Sequence, residues 1–240
     1  MKSTSLNRAQ HGFTIVELMI AITVGLVLSA GVLQLFVRTT KINLAQDNLS
    51  RLQETGRFAM EYLSRDIRMA GYPRVSFSGD AVQGTNDDGL NNSDSITVGS
   101  GLSTDTGTLD CLGQAAAPVT NKYYIANDSN GVPNLYCLGS GNATAQPLLE
   151  GVENMQVLYG VDTDSDKSAN KYLRADQLSS SDWLNVVSVR ISLLLRTTDN
   201  GLATQQTAYS YNGVSVTPSG SDYYLRRVFT TTITLRNRLI

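Results

Sequence analysis

This 240-residue chain has one histidine, two cysteines and no excess of positive charge. Its two cysteines cannot supply a four-cysteine zinc site. Its single histidine, His11, lies near the N-terminus. The 19 basic residues are fewer than the 21 acidic ones, which argues against a general nucleic-acid-binding surface, since such a surface needs an excess of lysine and arginine. The chain therefore does not contain the residues that most familiar catalytic and metal centres require.

The longest apolar segment runs from Phe13 to Val37, and its only charged residue is Glu17. As a helix it would extend about 37 Å, enough to cross the hydrocarbon core of a bilayer. A carboxylate at that depth costs about 2.5–3.5 kcal/mol, so we expect Glu17 to have a partner. Polar and basic residues, among them Lys2 and Arg8, precede the segment. No small-residue cleavage site follows it, so we expect it to remain in the mature protein.

The register of Gly12, Phe13 and Glu17 before this apolar run resembles the type III signal of type IV prepilins and related pseudopilins. The resemblance implies that a prepilin peptidase cleaves between Gly12 and Phe13 and that Phe13 is then N-methylated. It also implies that Glu17 neutralises the α-ammonium group of a neighbouring subunit in a helical filament. The N-terminus would lie on the cytoplasmic side of the inner membrane. The alternative is an ordinary N-terminal membrane anchor that carries a stray acid.

Cleavage after Gly12 would remove His11 together with Lys2 and Arg8. The mature chain would then lack an imidazole for Ser-His-Asp or Cys-His catalysis and for histidine-ligated zinc or haem. It would keep 17 of the 19 basic residues against 21 acidic ones, a net charge of about −4. We therefore expect no enzymatic activity, no cofactor and no strong nucleic-acid contact.

The helical pattern continues beyond the apolar run and becomes amphipathic. Apolar residues recur mostly at spacings of three and four, at Leu44, Leu49, Leu52, Ala59, Leu63, Ile67 and Ala70. Gly71 and Pro73 provide a stop signal. The pattern predicts one helix from Phe13 to about Ala70, on the order of 87 Å long. Its membrane or filament-core part is expected at 13–40 and its amphipathic part at 41–71.

Residues 72–240 have the pattern of a β-rich globular head. Turn-forming residues dominate the first part, and apolar stretches typical of strands follow. The expected strands are Ser95–Val98, Lys122–Ala126, Leu135–Leu138, one strand at 148–161, one at 184–197, Val214–Val216 and Arg227–Leu235, with a short helix within 174–180. A run of strands after a run of helix predicts an α+β fold with a mainly antiparallel sheet.

Three segments of the head resemble PilW-type minor pilins: Leu148–Asp166, Trp183–Arg196 and Arg226–Arg238. The resemblance implies a pilin-like fold, with the long helix packed on the sheet, and a structural role in type IV pilus assembly. It implies other minor pilins and the major pilin as partners in a tip or initiation complex. Further implied partners are the prepilin peptidase, the inner-membrane assembly machinery and a PilY-type tip adhesin. The alternatives are a J-type pseudopilin of type II secretion and a membrane-anchored periplasmic enzyme or receptor.

Two small groups of residues are candidate sites in the head. Cys111 and Cys137 can form a disulfide if the head lies outside the inner membrane, and would be buried free thiols if it were cytosolic. Asp162, Asp164 and Asp166 alternate along one loop and could gather on Ca²⁺. The loop lacks the glycine and glutamate of an EF-hand at its sixth and twelfth positions. A solvated acidic turn is therefore the favoured interpretation.

Arginine and aromatic residues each allow two interpretations. The basic C-terminal group comprises Arg226, Arg227, Arg236 and Arg238. One interpretation is contact with phosphate, and the favoured one is that these charges block the edge of a sheet. The aromatic residues in question are Tyr123, Tyr124, Tyr159, Trp183, Tyr223 and Tyr224. We interpret them as core and sheet-face residues in preference to a stacking platform.

Overall fold

A computed structural model describes residues 12–73, 81–101, 107–142, 144–203 and 205–238. The expected leader, apart from Gly12, lies outside the described residues. The chain divides into two compact units, Met1–Gln46 and Asp47–Ile240, and the first helix passes through both. Each unit is described by itself below.

Helix α1 spans Ile15–Met69, 55 residues, which confirms the predicted long N-terminal helix. In the first unit its apolar side chains are exposed from Phe13 to Val37. The mean hydropathy of its most apolar stretch is 2.3, so the helix is long and apolar enough to cross a membrane. An apolar surface on every side of a helix needs a cover of lipid or of other helices.

The part of α1 in the second unit is amphipathic and belongs to the core of the head. The buried residues of this face recur every three or four positions and are Leu52, Gly56, Ala59, Leu63 and Ile67. Leu63 and Ile67 have no exposed surface, and burying each contributes about 1.5–3 kcal/mol. The helix ends at Met69, and Gly71 follows it with a φ of +74°, in the left-handed region that favours glycine.

The first sheet of the head is antiparallel and has five strands in the order β1-β2-β3-β4-β5. Its strands are β1 Val82–Thr85, β2 Ser95–Ser100, β3 Val119–Asn127, β4 Pro133–Gly139 and β5 Gln146–Glu150. Three of the expected segments fall in β2, β3 and β4. The four-residue strand β1 was not expected, because its sequence has no apolar alternation and it is held by pairing with β2.

The second sheet is also antiparallel, with the order β11-β8-β6-β7. Its strands are β6 Val152–Val161, β7 Lys171–Leu173, β8 Val186–Arg196 and β11 Arg226–Thr234, and a separate hairpin contains β9 Tyr209–Tyr211 and β10 Val214–Val216. The strand expected at 148–161 is divided into β5 and β6, because Gly151 makes a turn with a φ of +75°. The short helix expected within 174–180 is a 3₁₀ turn, Ala175–Gln177, followed by α2, Ser180–Leu184.

Asp94 joins the two sheets through its backbone and side chain. Its N–H donates to the Met155 carbonyl at 2.8 Å, and its carboxylate accepts the Val157 N–H at 2.7 Å, both on β6. The same carboxylate accepts the Asp87 N–H at 2.9 Å. Burial, together with the nearby Asp87 and Asp88 charges, raises the pKa of Asp94 to about 6.

This raised pKa predicts a pH-dependent contribution to stability. The unfolded carboxyl titrates near pH 4, so the native state binds the Asp94 proton more tightly than the unfolded state does. The free energy of unfolding of the wild type, minus that of Asp94→Asn, should therefore decrease as pH rises from about 4 to about 6. Above and below this window the difference should be constant. Urea titrations at several pH values measure it, and a difference that rises with pH would contradict the assignment.

Candidate functional site

The N-terminal site begins with three residues of irregular structure that lead into α1. Gly12, Phe13 and Thr14 precede the helix, and 92% of the Phe13 surface is exposed. The peptide bond between Gly12 and Phe13 therefore lies outside regular secondary structure, next to an exposed side chain. The first turn of the helix then carries Glu17.

Thr14 and Glu17 form a reciprocal cap at the start of α1. The Thr14 N–H donates to Glu17 Oε2 at 3.0 Å, and the Glu17 N–H donates to Thr14 Oγ1 at 3.2 Å. The Thr14 hydroxyl also donates to Glu17 Oε2 at 3.0 Å. This capping box satisfies two backbone N–H groups that the helix leaves free.

The cap gives Glu17 hydrogen-bond partners within its own chain. Within a single chain, Thr14 already supplies two donors to its carboxylate. Both are neutral, so the negative charge remains without a counter-charge among the described residues. The spacing Thr-x-x-Glu is the sequence pattern of a capping box, so it predicts this cap. The energetic cost of the Glu17 charge does not.

The disulfide pair lies beside the end of α1 in the head. Cys111 and Cys137 are joined, with their Cα atoms 6.5 Å apart. The Tyr62 hydroxyl donates to the Cys111 carbonyl at 2.8 Å, and the Cys111 N–H donates to Asn121 Oδ1 at 2.9 Å. The backbone at Cys111 is thus held by the helix and by β3, which lies within the loop that the disulfide closes.

Asp66 of the helix completes this connection to β3. Its carboxylate accepts a hydrogen bond from the Tyr123 hydroxyl at 2.8 Å and from the Asn121 amide at 3.1 Å. Burial raises the pKa of the Asp66 carboxyl, and the two hydrogen bonds oppose the rise. The sequence pattern does not predict that Asp66 bonds to Asn121 and Tyr123, because an acidic residue between the apolar positions of an amphipathic helix is expected to face solvent.

The three loop aspartates do come together. Asp162, Asp164 and Asp166 each offer an oxygen within 4.8 Å of the others. Asp162 accepts three backbone N–H groups of its own loop, from Asp164, Ser165 and Lys167. These bonds organise a tight, exposed turn, and its three carboxylates lie close enough together to share one cation.

The four C-terminal arginines do not form one basic surface. Arg226 has a side chain only 5% exposed, paired with Glu153 at 2.7 Å and Asp222 at 2.8 Å. Its hydrogen bond lowers the pKa of the Asp222 carboxyl. Arg238 donates to the Leu184 carbonyl at 2.7 Å. The interpretation of Arg226 as an edge charge or a phosphate ligand is wrong, because its charge is neutralised inside the head.

The aromatic residues are distributed over the core and both sheets. Tyr123 and Tyr159 are fully buried, and the half-buried Trp183 lies edge-on to Tyr159 with ring centres 4.7 Å apart. Tyr124 stacks on Tyr136, and the Arg196 guanidinium lies 4.1 Å from the centre of the Tyr224 ring. These pairings place the rings in separate packing contacts, not in one stacking platform.

Comparisons with known proteins give two family matches. Residues 122–237 match the family described as Type IV Pilus-assembly protein W, PilW. Residues 7–33 match the prokaryotic N-terminal methylation motif. No curated protein matches the chain.

Among solved structures, the chain is similar to the type IV-like pilin TTHA1219 from Thermus thermophilus. The TM-score is 0.50 at 17% sequence identity, and the match covers 79% of this chain and 99% of the other. At this identity the likeness shows a shared pilin fold. The family and fold are those of structural subunits, which confirms the expectation that the chain is not an enzyme.

Proposed function

Because this chain is a PilW-type type IV pilin, we propose that it acts as a minor subunit in the assembly of a type IV pilus. The single observation that carries the proposal is that one chain combines a prepilin-like N-terminus with a PilW-like head. The first supplies a route into a filament, and the second supplies a surface for particular neighbours. The chain is a membrane-anchored subunit before assembly, since α1 is the helix that fits a bilayer.

Processing is proposed to occur at the Gly12–Phe13 bond, with methylation of the new N-terminus. The bond lies in exposed chain outside regular secondary structure, next to the capped helix start. Cleavage leaves Thr14 and Glu17 in place, so the cap survives in the mature subunit. The leader is proposed to lie in the cytoplasm and the head outside the inner membrane. The Cys111–Cys137 disulfide supports that placement, because disulfides persist in oxidising compartments.

Assembly is proposed to move α1 from lipid into the core of a filament. Head-to-tail contacts that do not close into a ring generate such helical filaments. The proposed neighbours are the major pilin and other minor pilins in a tip or initiation complex. The inner-membrane assembly machinery and a PilY-type tip adhesin are the further proposed partners.

The mature N-terminus tests this function. Mass spectrometry of the subunit from sheared pili should show a chain that begins at methylated Phe13. Deletion of the gene should reduce surface pili and leave exoprotein release unchanged. A chain that still begins at Met1 in a host with an active prepilin peptidase would contradict the proposal. Loss of exoprotein release with normal pili would assign the chain to a type II secretion pseudopilus instead.

A further inference from the structure

Strand β11 is an outer strand of the second sheet and pairs with β8 on one side only. Its pairing register is uninterrupted from Arg226 to Thr234. At one end the Thr197 N–H donates to the Leu225 carbonyl at 3.0 Å, and at the other the Leu235 N–H donates to the Val187 carbonyl at 2.9 Å. Residues 225 and 235 are therefore both hydrogen-bonded positions of the ladder.

The alternation of an antiparallel ladder fixes which residues face the open side. Hydrogen-bonded and non-hydrogen-bonded positions alternate along a strand. Odd-numbered residues of β11 consequently bond to β8, and even-numbered residues direct their N–H and C=O groups away from it. Beyond Arg226 these outward residues are Val228, Thr230, Thr232 and Thr234, and all four are exposed. Within the described ranges, no backbone hydrogen bond reaches them from the open side.

This edge lacks the usual protection against pairing. The other outer strands of the two sheets have three to five residues, whereas β11 has nine. It contains no proline, lysine or bulge between Val228 and Thr234. The one arginine among its outward positions, Arg226, is turned into its carboxylate partners. Long, uncharged outer strands readily accept another strand, so proteins normally shorten or charge them.

Side chains of β11 also bond to β8 and hold the strand in position. The Thr230 hydroxyl lies 2.9 Å from that of Ser192 on β8, and Arg190 Nε donates to Thr232 Oγ1 at 3.3 Å. These bonds hold the strand on the sheet and restrict its freedom before any partner arrives. Such preorganisation lowers the entropic cost of binding an extended segment.

We infer that β11 accepts an extended strand from a different pilin subunit, which continues the second sheet across the interface. The inference rests on the proposed function, because it names a partner within the same filament. Backbone hydrogen bonds to Val228, Thr230, Thr232 and Thr234 provide the attachment. The incoming strand is uncharged in its middle, where it meets these residues.

Charge distinguishes this partner from a second copy of the chain. Arg227 and Arg236 are exposed near the two ends of the edge, and neither has an ion-pair partner among the described residues. Antiparallel pairing of two β11 strands would bring the Arg227 end of one against the Arg236 end of the other. Parallel pairing would bring identical arginines together. Like charges facing each other are unfavourable, so the partner strand carries acidic residues near its ends.

A photo-crosslinking amino acid at Val228 of the full chain, in piliated cells, tests the inference. The expected product is a crosslink to an extended segment of another pilin subunit, identified by sequencing the joined peptides. Thr230→Pro removes an outward N–H and should lower the crosslink yield about tenfold. Thr230→Ala loses the same hydroxyl but keeps the N–H, so it should retain most of the yield. Thermal unfolding of both variants should be close to that of the wild type.

Charge reversal at Arg227 and Arg236 to glutamate supplies a second measurement that leaves the ladder intact. It should also lower the yield. A crosslink to a second copy of this chain, no crosslink, or equal yields for Thr230→Pro and Thr230→Ala would overturn the inference. In each of those cases, wild-type chain recovered from sheared pili would leave the proposed function standing. If the wild-type chain were absent from sheared pili, the proposed function itself would be contradicted.

Discussion

Glu17→Gln is expected to lower the amount of this subunit in sheared pili by at least about tenfold while the chain remains folded and membrane-inserted. Glutamine at this position can still complete the capping box with Thr14, because an amide oxygen also accepts the N-cap N–H. It cannot neutralise an ammonium group. An unpaired charge left in a buried, low-dielectric site costs about 3–5 kcal/mol, which is enough to exclude most subunits from the filament.

Thr14→Ala is the matched control for this experiment. It removes the hydroxyl of the cap and keeps the Glu17 charge. The lost cap costs about 1 kcal/mol in the membrane and in the filament alike, so this cost largely cancels and incorporation should stay within about twofold of the wild type. Immunoblots of sheared pili and of membranes report incorporation and insertion separately. If glutamine supports normal incorporation and the threonine variant does not, the role of Glu17 is helix capping and not charge pairing.

Arg226→Ala is expected to destabilise the head by about 3 kcal/mol, because it leaves Glu153 and Asp222 without their shared counter-charge. The estimate lies at the low end for buried ion pairs, since the Asp222 side chain is 30% exposed. The guanidinium also lies 5.2 Å from the centre of the Tyr209 ring, so its loss loosens the hairpin of β9 and β10.

The neighbouring arginine provides the control. Arg227 is exposed, and Arg227→Ala should change the free energy of unfolding by no more than about 0.5 kcal/mol. Urea unfolding of the full chain in detergent, followed by tyrosine and tryptophan fluorescence, measures both variants. Equal effects of the two substitutions would show that the buried charge network contributes little to stability.

The helix and the main strands were predictable because their patterns are long and repetitive. The apolar run that begins at Phe13 is unbroken over 25 residues apart from Glu17 and a few uncharged polar ones, and the amphipathic stretch that ends at Gly71 repeats its helical spacing several times. In β8, apolar and polar residues alternate from Val187 to Leu193. Such patterns predict a helix or a strand without knowledge of the tertiary contacts that the element makes. The family resemblance added the pairing of a prepilin N-terminus with a PilW head.

The features that were not predictable depend on distant partners. Strand β1 exists because β2 pairs with it, and its own four residues carry no strand pattern. Arg226 is buried by Glu153, which lies 73 residues earlier in the chain. Asp66 is buried by contacts with Asn121 and Tyr123 on β3. A sequence pattern shows residue types along the chain, whereas these environments are set by which elements meet.

The bonds that tie the end of α1 to the head determine how the subunit responds to pulling. Tension that arrives along the helix passes into β3 through Asp66 and into the backbone at Cys111 through Tyr62. It also reaches the segment after β11, because the Asn237 amide donates to the carbonyls of Arg68 and Ala70 at 3.2 Å. Several attachments share the force, and the Cys111–Cys137 bond limits how far the loop can extend once they break. In an oxidising environment the head should therefore yield in stages under tension, with a covalent stop.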